Sequence, residues 1–153
     1  MIFRDEKTLD KDKYILVDYF IKSKTSLKEA AWGLAIGQSV GNPNVRSVWE
    51  TDELFENHSC IILGNENDLG WEKSGDVTIG FPVENIDLAT DGVSQLLCHV
   101  MGGQLDIDII QKCQVKNITF PDSAKKHFKL PKYGIEGIRE YTDCRDRPML
   151  GGI

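Results

Sequence analysis

The chain has no apolar run approaching the ~20 residues that cross a bilayer. Its longest ones, such as Ile15-Leu16-Val17 and Cys60-Ile61-Ile62-Leu63, are a few residues each. The opening Met-Ile-Phe-Arg-Asp-Glu-Lys lacks the apolar centre of a secretory signal, so the expectation is a soluble cytoplasmic protein with no membrane partner. Excess positive charge is missing too. Eighteen Lys and Arg face 24 Asp and Glu, a net charge of -6, which argues against a nucleic-acid partner. Cysteine is sparse: Cys60, Cys98, Cys113 and Cys144 include no Cys-x2-Cys pair of the kind that grips zinc, and free thiols are expected. The histidines, His58, His99 and His127, are equally scattered, so the residues suggest no metal site. The sequons Asn57-His58-Ser59 and Asn117-Ile118-Thr119 read as chance in a chain with no route to secretion. Also lacking are Gly-x-Ser-x-Gly, Gly-x4-Gly-Lys-Ser/Thr, His-Glu-x-x-His and Gly-x-Gly-x-x-Gly.

What is present is enough for one domain: 153 residues, 41% of them apolar. Tyr14-Ile15-Leu16-Val17-Asp18-Tyr19-Phe20-Ile21, β-branched and aromatic around a single carboxylate, predicts a central strand. Ser26-Leu27-Lys28-Glu29 is a capping box, and the stripe Leu27, Ala30, Ala31, Leu34 and Ala35 predicts a helix ending near Gly37 and Gly41-Asn42-Pro43. Val45 to Thr51 and Cys60 to Leu63 read as strands, and Gly64 to Gly75 as a polar surface loop. Val77, Ile79, Phe81 and Val83 have the period of two of a half-buried strand, with Pro82 marking its end or a sheet edge. Asp91 can cap a second helix with the stripe Val93, Leu96, Leu97, Val100 and Met101, stopped by Gly102-Gly103. Gln111 to Phe120 gives a last strand, and Pro121-Asp122-Ser123 opens a short helix through Phe128.

Two strand–helix–strand units of this kind predict an α+β fold. The expected form is a ferredoxin-like βαββαβ antiparallel sheet with both helices on one face. Beyond Phe128, Pro131, Gly134, Gly137 and Pro148 punctuate the chain. From residue 122 onward seven basic residues outnumber five acidic ones, against 11 and 19 before it. That segment reads as a connector leading out of the domain rather than as part of its core. Two features could carry chemistry. The segment Gly37-Gln38-Ser39-Val40-Gly41-Asn42 can offer backbone N–H groups and amides to an anion, or can simply be a helix C-cap and loop. His99 lies inside the second helix, next to its stripe rather than on it, and a lone histidine there is more often a surface or satisfied residue than a ligand.

The landmarks then resemble a known family in order and spacing. Phe120-Pro121-Asp122-Ser123, Lys132-Tyr133-Gly134-Ile135 and Arg147-Pro148-Met149-Leu150-Gly151-Gly152-Ile153 resemble the segment joining the N-terminal domain of the RuBisCO large subunit to its (β/α)8 barrel. Phe81-Pro82 and Leu97-Cys98-His99-Val100-Met101-Gly102 look like the family's aromatic-Pro strand end and its Val-Gly-Asn-Val-Phe-Gly helix. Gly37 to Trp49 looks like its Glu-Ser-Ser-Thr-Gly-Thr-Trp loop and the next strand. The resemblance implies an N-terminal domain over residues 1–121. Residues 122–153 would be the connector helix and the start of a barrel that is missing here.

It also implies a substrate-facing half-site at Gln38, Ser39, Asn42 and His99. The family's loop glutamate, its threonine and tryptophan, and its helix asparagine look replaced, by Gly37 or Gln38, by Asn42-Pro43 and by His99. Those departures point to RuBisCO-like proteins, which act as enolases, isomerases or decarboxylases on sugar-derived, phosphorylated substrates. The catalytic lysine, the carbamylated lysine and the magnesium-binding acids of the family would lie beyond Ile153. The chain alone is therefore expected to carry no catalytic residue, metal or cofactor, with Mg2+ implied only for the parent enzyme. Its expected partner is the barrel of its own or a neighbouring subunit, in a homodimer. The alternatives are a true carboxylase as parent, and a free-standing ferredoxin-like binding module.

The second stripe generates a stability expectation of its own. Leu97→Ala should cost roughly 2 to 5 kcal/mol as a core cavity. Urea unfolding checks it, and a loss under about 0.5 kcal/mol would mean that the stripe is exposed.

Overall fold

A computed structural model describes residues 3–31, 34, 61–64, 66–85 and 109–141. Five strands form one sheet: β1 (Phe3–Arg4), β2 (Tyr14–Ser23), β3 (Ile61–Leu63), β4 (Ser74–Pro82) and β5 (Ile110–Thr119). Their order across the sheet is β1-β3-β4-β2-β5. The helical segments are α1, seen at residues 27–31 and 34, α2 (Glu66–Trp71), α3 (Asp122–Lys125) and α4 (Ile135–Tyr141). The fold class is α+β, as expected.

The long run predicted as a central strand is β2, and its alternation decides the layout. Ile15, Val17, Tyr19 and Ile21 point to one face and are buried, while Tyr14, Leu16, Asp18 and Phe20 on the other are half-exposed. β4 lies antiparallel beside it, with Phe81, Ile79 and Val77 opposite Ile15, Val17 and Tyr19, and so extends the same buried face. Leu27, Ala30, Ala31 and Leu34 of α1 join these side chains in one cluster, so the helix stripe covers the sheet. Ser26 caps the helix, its Oγ accepting the Glu29 N–H at 3.2 Å. Pro82 is the end of an interior strand and not a sheet edge.

The sheet is mixed, which corrects the expectation of an antiparallel one: β1 runs parallel to β3, with Phe3 opposite Ile62. A two-residue strand has no periodicity to read, and it is held by tertiary contact, since Phe3 packs against the core. The other pairings, β3–β4, β4–β2 and β2–β5, are antiparallel. The expected strand at 45–51, Ala35 of the first helix and the second helix at 91–102 lie outside the described residues. So do Leu96, Leu97 and Val100.

The polar stretch Gly64 to Gly75 is not a plain loop, because it contains α2. A single residue, Leu69, anchors that helix on the core, and one contact leaves no stripe in the sequence. Toward the C-terminus, α3 stops at Lys125, but the Phe128 N–H still reaches the Ala124 carbonyl at 3.0 Å, so a hydrogen-bonded turn carries the chain to Phe128 as expected.

The reading of the following segment as lying outside the core does not hold. Ala124, Phe128, Leu130 and Ile138 are buried in the main cluster. Tyr133 ties this segment together: its hydroxyl donates to the Phe128 carbonyl at 2.7 Å, and its ring lies 5.5 Å from that of Phe120 and 5.1 Å from Lys125 Nζ. The glycines taken as punctuation have geometric tasks instead. Gly134 has φ +89, which L side chains rarely adopt, immediately before α4. A Cβ on Gly137, inside α4, would collide with the Lys132 carbonyl.

Gly137→Ala distinguishes that packing role from a mere helix defect. In an open helix the change would stabilise by about 1 kcal/mol. Here it should destabilise, by roughly 1 to 3 kcal/mol, because backbone must shift to admit the methyl group. The sign of the change in urea midpoint decides.

Candidate functional site

The scaffold that would present the half-site begins with α1. It starts at the Ser23/Ser74 end of the sheet, where the Leu27 N–H donates to the Glu72 carbonyl at 2.7 Å. β4 leaves the sheet at the opposite end, at Pro82 beside Tyr14, and continues as a 3-10 turn over Val83–Asn85. The segments expected to carry chemistry follow these two elements in sequence. Gln38, Ser39, Asn42 and His99 all lie outside the described residues, so their mutual placement remains an expectation.

The described residues supply the other polar groups. On the sheet face opposite α1, the Thr78 hydroxyl donates to Asp18 Oδ1 at 2.6 Å. The β2–β5 register shifts between Asp18 and Tyr19, whose partners are Asn117 and Val115, so Lys116 is the extra residue of a bulge. Its ammonium meets both Asp76 carboxylate oxygens at 3.1 Å. That exposed pair contributes under about 1 kcal/mol. Lys112 Nζ sits 5.8 Å from the centre of the Phe20 ring.

At the other edge, a shallow depression is lined by Asp5, Glu6, Lys7 and Gly64. Its carboxylates are engaged locally: Asp5 accepts the Lys7 N–H at 2.9 Å, and Glu6 pairs with Lys11 at 3.1 Å. Trp71 stands 88% exposed at the end of α2. No group of three or more His, Cys, Asp or Glu is gathered for a metal among the described residues. Among them, too, no helix is long and apolar enough to cross a membrane.

Cys113, on β5, is the described thiol, and burial pushes its pKa up to about 11. A thiol held protonated is a poor nucleophile, so its position suits packing against the core rather than chemistry. Asp18 interrupts the apolar run of β2, and its even position puts it on the face opposite Val17 and Tyr19.

No family model matches the chain. A ribulose bisphosphate carboxylase-like protein of Archaeoglobus fulgidus is 28% identical over 162 residues, covering 95% of this chain and 34% of that protein. The 2,3-diketo-5-methylthiopentyl-1-phosphate enolase of Geobacillus kaustophilus is 24% identical over 148 residues, 91% of this chain and 34% of that enzyme. Among solved structures, the dimeric archaeal Rubisco of Hyperthermus butylicus superposes with a TM-score of 0.55 at 25% identity, over 96% of this chain and 33% of that one. These likenesses are to the RuBisCO superfamily and to its N-terminal region. The chain spans about a third of the length of these relatives.

The thiol gives a pH test. The folded chain holds the Cys113 proton more tightly than the unfolded chain, whose thiol titrates near the ordinary 9.0. This group therefore adds no pH dependence well below 9 and costs stability as the pH rises from 9 toward 11. Between pH 7 and 10, the wild-type urea midpoint should fall more than that of Cys113→Ala. Parallel declines would place the thiol in water.

Proposed function

We propose that the chain is the N-terminal, lid-forming domain of a RuBisCO-like enzyme that enolises, isomerises or decarboxylates a sugar-derived, phosphorylated substrate. The observation that carries this reading is similarity along more than nine-tenths of the chain to a carboxylase-like protein and to an enolase. It is joined to the replacement of the family's carboxylate, threonine and asparagine by Gln38, Asn42 and His99. In this reading the domain has the ferredoxin-like βαββαβ plan with a second helix at 91–102, residues 122–153 lead into a barrel, and two copies assemble so that the domain covers a barrel's mouth. The dimeric Rubisco neighbour supports such assembly.

The chemistry divides between the two parts. Enolisation needs a base to take a proton and an electrophile to hold the developing oxyanion. The resemblance puts both beyond Ile153, together with the acids that would hold Mg2+, whose contribution when bound is to polarise the substrate oxygens. This chain's residues bind and orient. Amides at Gln38 and Asn42 and the Ser39 hydroxyl can hydrogen-bond an anionic substrate. His99 can donate to a substrate oxygen or exchange a proton, whereas an asparagine can only hydrogen-bond.

A second reading, the N-terminal domain of a true carboxylase, is favoured by the 25% identity to a Rubisco of known structure. Carbon dioxide fixation by the full-length protein would select it.

Purified residues 1–153 should turn over no phosphorylated keto-sugar with magnesium and bicarbonate present. Any sustained turnover contradicts the division of the site. In the full-length protein, His99→Ala should lower kcat/KM at least about tenfold, or ~1.4 kcal/mol, with an unchanged melting temperature. Equal kcat/KM values for the variant and the parent would remove His99 from the site.

A further inference from the structure

We draw no further inference here: the strongest candidate, the sheet face around the half-buried Asp18 between Leu16 and Phe20 on β2, carries nothing because nothing in the structure shows what covers it.

Discussion

The described structure depends on one buried surface, the row Ile15, Val17, Tyr19 and Ile21 on β2. β4 and β5 flank that strand, and α1 closes over it. Because side chains alternate at a period of two, a slip of one residue in β2 would carry Leu16, Asp18 and Phe20 into the core and bring the whole apolar row into water. Burying Asp18 that way would cost several kcal/mol unless it found a partner. The carboxylate that interrupts the strand therefore helps to choose its register. Everything else is placed relative to this row: the opposing residues of β4, the stripe of α1, and the edge where Ile118 and Phe120 receive the C-terminal helices.

How much was legible beforehand follows from the length of each signal. β2, β4 and β5 are nine or ten residues long and carry enough alternation to be recognised, and α1 is marked by a capping serine and a stripe. β1, α2 and α4 are short, and each is held by one or two anchors: Phe3, Leu69 and Ile138. Segments of two, six and seven residues are too short to show a clear period. Gly134 and Gly137 differ from these: a positive φ calls for glycine at the first, and at the second the residue that breaks a helix in isolation is the one that fits where backbone meets backbone. At the candidate site, residue order alone could suggest that Gln38, Ser39, Asn42 and His99 belong together. No local pattern ties residues 38–42 to a residue some 60 positions further on; family resemblance alone joins them.

The same limit shapes the functional reading. The fold rests on features spread over the described strands and helices, whereas a function depends on a few side chains in one particular geometry. A sheet, a covering helix and a docked C-terminal segment make a firm platform, and the half-site is argued as a set of attachments to it. The burial of Leu130 and Ile138 has a bearing here, because the chain crosses the end of the platform under packing constraints rather than as a loose tether.

The pairing of β2 with β5 joins Leu16 to Thr119, residues roughly a hundred positions apart. Closing so long a loop is entropically slow, and contacts this distant in sequence are the kind that lower folding rates. During synthesis β2 must wait for β5 to leave the ribosome, with both edges unpaired until β4 emerges and one edge unpaired after that. At about 5 to 20 residues per second that is an interval of roughly 5 to 20 s. Throughout it, an aromatic and β-branched strand is open to intermolecular pairing, which makes the half-made chain the aggregation-prone species and gives a chaperone a defined segment to shield.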